Sequence, residues 1–233
     1  ISIAQAIEAV YGQALDAIER KLRQRISVLI ECDKQLVLYL YKAIQRRIKD
    51  PTAVAPINIR LISGHKPAAA DAMGSGTRLQ RMLDELQEAV FSGEANQLLV
   101  IPHLDILTTT TQSGLSGDTR EAAAVLYENP DAVFLAFKDP SFELPKVIEN
   151  LFTFRQSLLG IPRDRLPHLI TQKEARKLAV DRFDAYSLYK YISGLNAIRC
   201  RQILAHFHDR LDFDPGNPAS ADQIYREIRD MTL

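Results

Sequence analysis

The chain has 233 residues, 46% hydrophobic and 25% charged, and its 29 lysines and arginines balance 29 aspartates and glutamates, for a formal net charge of zero. That length holds one large domain, or a large and a small one. The even charge balance gives no global electrostatic case for nucleic acid or an anionic membrane, which leaves only a local basic patch to argue for either. Two cysteines, Cys32 and Cys200, with no CxxC pairing exclude a disulfide framework and point to a reducing compartment, so a cytoplasmic location is expected.

In chain order, Ile3, Ile7, Val10, Leu15, Ile18 and Leu22 have helical spacing over residues 3 to 24. The opening residues carry no basic n-region, so they start an amphipathic helix and not a signal peptide. With no initiator methionine, the chain reads as an excerpt of a longer protein. No apolar run approaches the ~20 residues that span a bilayer, so no membrane insertion is expected. Ile26 to Ile30 is a buried-strand signal, and residues 36 to 48 read as a helix that ends before Asp50-Pro51. Ile57 to Ile62 is a second strand, Gly64 to Gly76 a small, flexible connection, and Thr77 to Phe91 a strong helix. Leu98 to Ile101 is a third strand, Thr108 to Asp118 a polar loop, Arg120 to Tyr127 a short helix and Val133 to Phe137 a fourth strand. A helix over Lys146 to Asn150 and a strand over Gln156 to Leu159 follow. From Arg163 onward only helices are indicated, the last near Ala221 to Arg229 beyond the Asp214 to Pro218 break. Repeated strand and helix followed by helices alone predicts a parallel sheet covered on both faces, then a small helical domain.

Residues 27 to 44 have the outline of the strand, loop and first helix of a P-loop ATPase, but the residues of the Gly-x-x-x-x-Gly-Lys-Ser/Thr motif are missing. The whole layout resembles an AAA+ ATPase module of the kind found in ring-forming unfoldases, over roughly residues 26 to 210. Aligning Tyr39-Leu40-Tyr41-Lys42-Ala43 with that family's first helix places its loop glycines on Glu31, Lys34 and Leu36, its lysine on Val37 and its hydroxyl residue on Leu38. The intact loop works because glycines let backbone N–H groups converge on phosphate, the lysine adds a charge and the hydroxyl holds magnesium. Val37 and Leu38 can do none of this, and Glu31 and Asp33 repel a triphosphate.

Three further landmarks follow the resemblance. In Leu98 to Asp105, the family's strand-terminal Asp-Glu pair falls on Pro102 and His103, and Asp105 matches a later aspartate. Proline neither holds magnesium nor activates water, and His103 reads either as a base without a substrate or as a polar strand end. Lys138 sits where the family carries a polar sensor, or is a solvated lysine at a strand end. In Asn150 to Pro162 only Arg155 fits the segment whose arginines reach a neighbouring subunit; Arg155, Arg163 and Arg165 are candidate inter-subunit contacts, or surface ion-pair partners. The stretch from Leu188 to Leu204 resembles the helical lid, with Arg199 and Arg201 on its last helix. The family's pore-loop aromatic falls on Ala72 beside Met73, which implies weak grip on a threaded polypeptide.

Other constellations are weak. His206 and His208 stand two apart on a helix and do not face one another, so no shared metal is expected. Cys32 sits among acids, where a thiol stays inert. The basic clusters Arg20 to Arg25 and Arg46 to Lys49 lack interleaved aromatics and read as solvated helix faces.

The expected fold is α/β: a P-loop-NTPase-like parallel sheet flanked by helices, followed by a small all-α lid. The expected domains are an N-terminal helix over 1–25, the α/β part over 26–165 and the lid with a final helix over 166–233. The expected function is a catalytically inactive AAA+-like module for ring assembly, regulation or client recognition, part of a larger AAA+ protein or complex. Its partners are expected to be proteins, other AAA+ modules among them, with no cofactor and no metal. ATPase activity, if present, would lie in a further module. The alternatives are a nucleic-acid-handling subunit like the inactive members of clamp loaders, and a weak ATP-binding protein using Lys34 and Lys138.

Overall fold

The apolar stripe of the first helix is what folds it down: Ile7, Leu15, Ile18 and Leu22 of α1 (Ile3–Arg23) are almost fully buried. The computed structural model describes residues 1–49, 52, 55–65, 76–108, 110–111, 114–178, 184–210 and 217–232. Backbone contacts divide the chain into two units, Ala14–Leu158 and a second made of Ile1–Gln13 with Leu159–Leu233.

In the first unit, β1 (Val28–Glu31) leads through a short 3-10 turn, Lys34–Leu36, into α2 (Val37–Ile48). Then come β2 (Asn58–Leu61), α3 (Arg78–Phe91) and β3 (Gln97–Ile101). Helix α3 starts where it does because Thr77 and Gln80 form a reciprocal capping box. After β3 the chain makes α4 (Leu104–Leu107), a single turn with no clear periodicity to announce it. The polar loop expected over residues 108 to 118 contains a small antiparallel hairpin, β4 (Thr110–Thr111) with β5 (Gly114–Leu115), consistent with the strand preference of a threonine run. Helix α5 (Gly117–Glu128) begins at its Ser116 cap, three residues before the expected start. It is followed by β6 (Phe134–Lys138), α6 (Lys146–Glu149) and β7 (Phe154–Ser157). The last strand lies two residues earlier than expected, because Phe154 to Ser157 pair in register with Val28 to Glu31.

These five longer strands form one all-parallel sheet in the order β2-β3-β6-β1-β7. The central strands carry continuous apolar runs, as burial on both faces requires: Val28 to Ile30, Leu98 to Ile101 and Phe134 to Phe137 are all buried. Met82, Leu83, Leu86, Ala122, Ala123 and Leu126 from α3 and α5 pack with Leu29, Leu99 and Phe134 of the sheet in one core cluster. In this order β1 lies inside the sheet, and the chain leaving it goes first to the far edge strand β2. Ligands of open α/β sheets collect at such a reversal, outside the carboxyl ends of the strands.

The second unit is helical. Beside the first half of α1 it contains a 3-10 turn, Leu166–Leu169, and helices α7 (Gln172–Lys177), α8 (Ala185–Ile192), α9 (Ala197–His208) and α10 (Pro218–Thr232). Its core holds Ile7, Leu166, Leu169, Leu188, Ile192, Leu204, Ile224 and Ile228. A buried pair ties α7 to α9: the Arg201 guanidinium grips Glu174 through two bonds of 2.8 and 3.0 Å and also donates to the Leu169 carbonyl at 2.7 Å. Lys177 Nζ closes the end of α9 on the Phe207 and His208 carbonyls at 2.7 and 3.0 Å. Among the described residues, no helix is long and apolar enough to cross a membrane.

Candidate functional site at the carboxyl edge of the sheet

Parallel pairing brings the ends of β1, β3 and β6 to one edge, and with them five of the residues singled out in the sequence: Glu31, Lys34, His103, Asp105 and Lys138. Glu31 and Lys138 are register partners across β1 and β6, and Lys138 Nζ lies 2.9 Å from Glu31 Oε2. Lys138 also donates to the Phe142 carbonyl at 3.0 Å, and Glu31 Oε1 accepts from the Ser157 hydroxyl at 3.4 Å. Lys34, on the turn after β1, forms a close ion pair with Asp105 of α4. Its ammonium also lies 3.2 Å from His103 Nδ1. Burial and then the neighbouring Lys34 and Arg78 charges hold His103 below its ordinary pKa, so a neutral imidazole accepts from Lys34.

The turn itself is closed from within. Cys32 N–H donates to the Lys138 carbonyl at 3.0 Å, Leu36 N–H to the Asp33 carbonyl at 2.9 Å, and Val37 N–H to the Lys34 carbonyl. Asp139, just after β6, accepts from the Ser141 N–H and hydroxyl. That carboxyl is held below its ordinary pKa first by the Ser141 hydroxyl, then by the backbone N–H groups of Ser141 and Lys34. Sequence reasoning missed Asp139; the signal was Asp139-Pro140-Ser141, a turn sequence in which an aspartate oxygen takes the N–H two residues on.

A magnesium-bound polyphosphate needs free converging N–H groups, unpaired cations and a hydroxyl for the metal. Among the described residues, this edge supplies four carboxylates, Glu31, Asp33, Asp105 and Asp139, against Lys34 and Lys138, each already on a carboxylate, and Arg78, whose Nε donates to the Ser63 carbonyl at 3.0 Å. Val37, where the sequence resemblance put the lysine, is buried, and Leu38, where it put the hydroxyl, is 55% exposed. The residues present do not fit the group. What adjoins them is a cavity of about 220 Å³ whose lining includes Val37, Leu38, Tyr41, Leu61, Pro102 and His103. It is walled mainly by hydrocarbon.

The remaining candidates stand elsewhere. Arg155, in β7, donates to the Phe152 carbonyl at 3.2 Å and pairs with Glu149 at 3.3 Å. In the helical unit the Arg163 guanidinium lies over the Tyr186 ring, and Arg165 pairs with Asp164 at 3.2 Å. Ala72 and Met73 lie outside the described residues. Of the basic clusters, Arg23 pairs with Glu19 and Arg47 with Asp16, both at 2.9 Å, and Arg25 donates to the Gln97 carbonyl at 2.9 Å. His208 turns to Glu174 at 3.4 Å while the His206 ring stands edge-on to Phe207, and no metal-ligand cluster exists among the described residues. Burial pushes the Cys32 and Cys200 thiols up to about 12, so both stay protonated. The buried Glu174–Arg201 pair was not anticipated as a pair, although the spacing of Thr171 and Glu174 is a legible capping box.

No protein-family model matches the chain, and no curated protein matches it in sequence. Solved structures match its fold. One, described as the HORMA:CdnC:Trip13 complex of E. coli MS115-1, is similar at a TM-score of 0.57 and 11% identity, over 97% of this chain and 91% of that one. A structure of C. elegans PCH-2 aligns at a TM-score of 0.49 and 9% identity, over 99% of this chain and 72% of that one. At 11% identity the first likeness speaks for the fold alone, a parallel α/β sheet flanked by helices with a helical carboxy-terminal part.

Proposed function

We propose that the chain is an AAA+-like module that does not turn over nucleotide. It acts through protein contacts, in ring assembly, regulation or client recognition, as the non-ATPase part of a larger AAA+ protein or complex. The observation that carries this reading is the closure of both lysines at the sheet's carboxyl edge by the chain's own carboxylates, Lys34 by Asp105 and Lys138 by Glu31. Dislodging them for a polyphosphate would leave carboxylates facing phosphate oxygens across a few ångströms, where like charges repel by about 4 kcal/mol per pair at an effective dielectric of 20.

The half-exposed Leu38 and Leu61 beside the apolar cavity favour a protein surface over an anion site. The E. coli structure of similar fold is an assembly with HORMA and CdnC, which supports a protein-handling role. In this reading, nucleotide chemistry belongs to another AAA+ module of the same polypeptide or assembly. A nucleic-acid role is disfavoured by the internal pairing of Arg23, Arg25 and Arg47.

Calorimetric titration with ATP and magnesium, alongside a phosphate-release assay, tests the reading. We expect neither binding heat nor turnover. Micromolar binding with hydrolysis above background would overturn it.

A further inference from the structure

The helical unit carries a second cleft, of about 420 Å³, between α8 and α10. Lys190 and Tyr191 line it from α8, and Asp222, Tyr225, Arg226 and Arg229 from α10. The rings of Tyr191 and Tyr225 lie 5.6 Å apart, tilted by 31°, and form an aromatic floor. The Tyr225 hydroxyl is fixed to the Leu178 carbonyl at 3.2 Å, so the floor is held from below. Three cations stand on the walls against one carboxylate, in a chain whose net charge is zero.

The fold gives these cations few partners. Among the described residues neither Lys190 nor Arg226 has a carboxylate partner; Lys190 has only the Tyr191 ring, 5.1 Å from its ammonium. Arg229 reaches Asp230 at 3.4 Å through two exposed side chains, a pairing that solvent makes weak. Arg226 and Arg229 are three residues apart on one helix and face the same way. Ile224 and Ile228 hold α10 to its own core from the opposite stripe, so the cleft face is left for something else.

We propose that this cleft binds an acidic, apolar-anchored segment of a protein partner. Its carboxylates would pair with Lys190, Arg226 and Arg229, and an apolar side chain would lie on the Tyr191–Tyr225 floor. Tyrosine and arginine are the residue types that dominate interface hot spots, because they bury large area at low entropic cost and bond carboxylates in a forked geometry. Asp222 weighs against a phosphodiester backbone, whose regularly spaced negative charges it would repel, whereas a peptide N–H can donate to it. The few cations here also fall short of the basic stripe that nucleic-acid binding requires. The inference is independent of the nucleotide question, since no residue of the sheet edge enters it.

Fluorescence anisotropy tests it with three labelled probes: a short peptide alternating glutamate and leucine, the same peptide with lysine for glutamate, and an oligothymidylate. We expect the acidic peptide alone to bind, with an affinity that falls as salt rises. Lys190→Glu with Arg226→Glu should weaken it about tenfold or more. The exposed Lys146→Glu, a charge reversal in the other unit, should leave it unchanged. Lys190→Gln with Arg226→Gln gives the same readout without introducing repulsion, and circular dichroism checks that each variant folds. Failure of the acidic peptide to bind, equal loss with Lys146→Glu, or preference for the oligothymidylate would each overturn the proposal.

Discussion

Lys138 Nζ stands 2.9 Å from Glu31 Oε2, and the two residues are register partners at the carboxyl ends of β6 and β1. Strand pairing, not a loop, therefore sets this ion pair, and the same edge carries the Lys34–Asp105 pair. Replacing Glu31→Gln and Asp105→Asn together removes both neutralising carboxylates and leaves Lys34 and Lys138 without them. We expect inorganic tripolyphosphate to bind this double variant with an affinity on the order of millimolar and to give no heat with the unmodified protein in the same titration. Equal binding to both would mean that the carboxylates do not hold anions off.

His103 adds a pH dependence whose sign follows from its contacts. Burial, Lys34 and Arg78 lower its folded pKa below the ordinary 6.5, with Asp105 pulling the other way and His65 adding to the depression. Just below pH 6.5 the unfolded chain then binds more protons than the folded one, so stability rises with pH there. The contribution is complete above the unfolded value and is lost as pH falls through the folded one. We expect His103→Gln to flatten this part of the profile, read as urea midpoints at a series of pH values from neutral to mildly acid. An unchanged slope would place the titration elsewhere.

In the helical unit, Glu174 and Arg201 are both buried and joined through two bonds. Burial alone would raise the Glu174 pKa; the Arg201 and Thr171 hydrogen bonds and the Arg201 charge outweigh it and hold the carboxyl low. Arg201→Met leaves the carboxylate short of its main counter-charge and should cost about 3–5 kcal/mol. Replacing both, Glu174→Leu with Arg201→Met, should recover most of that loss, because the uncompensated charge is gone. The wild-type pair also contributes stability above pH 4.5 that is lost as pH falls through the depressed folded value. Thermal melts of the three proteins check the order.

Leu36 and Leu38 test what the apolar edge is for. Leu36 is fully buried under the turn, whereas Leu38 is 55% exposed beside the cavity. Leu36→Ala should cost about 2–5 kcal/mol through the cavity it leaves, and Leu38→Ser should stay within about 0.5 kcal/mol. Denaturant unfolding separates them. A large loss from Leu38→Ser would make it a core residue and remove its part in the protein-contact reading.

Much of the fold was legible in the order of residues, for local reasons. Ile26 to Ile30, Leu98 to Ile101 and Val133 to Phe137 read as strands because strands buried on both faces are largely apolar runs. Thr77 to Phe91 read as a helix because its apolar residues recur on one face. The single turn of α4 and the hairpin at Thr110 to Leu115 were not legible, since elements that short have no period to detect.

Tertiary structure alone decided the state of the charges. Lys34 and Asp105 are 71 residues apart, and nothing in either neighbourhood says that they meet. They meet because parallel strands end at one edge, and strand order is set by how the sheet packs its helices and not by any local propensity. The same holds for Glu174, which reads as a solvated first-turn acid until α9 brings Arg201 over it, and for α1, whose continuous stripe conceals that its two halves belong to different units. Sequence determined which groups are present; packing determined which of them are still available to a ligand, because an ion pair is a matter of distance in space and not of spacing along the chain.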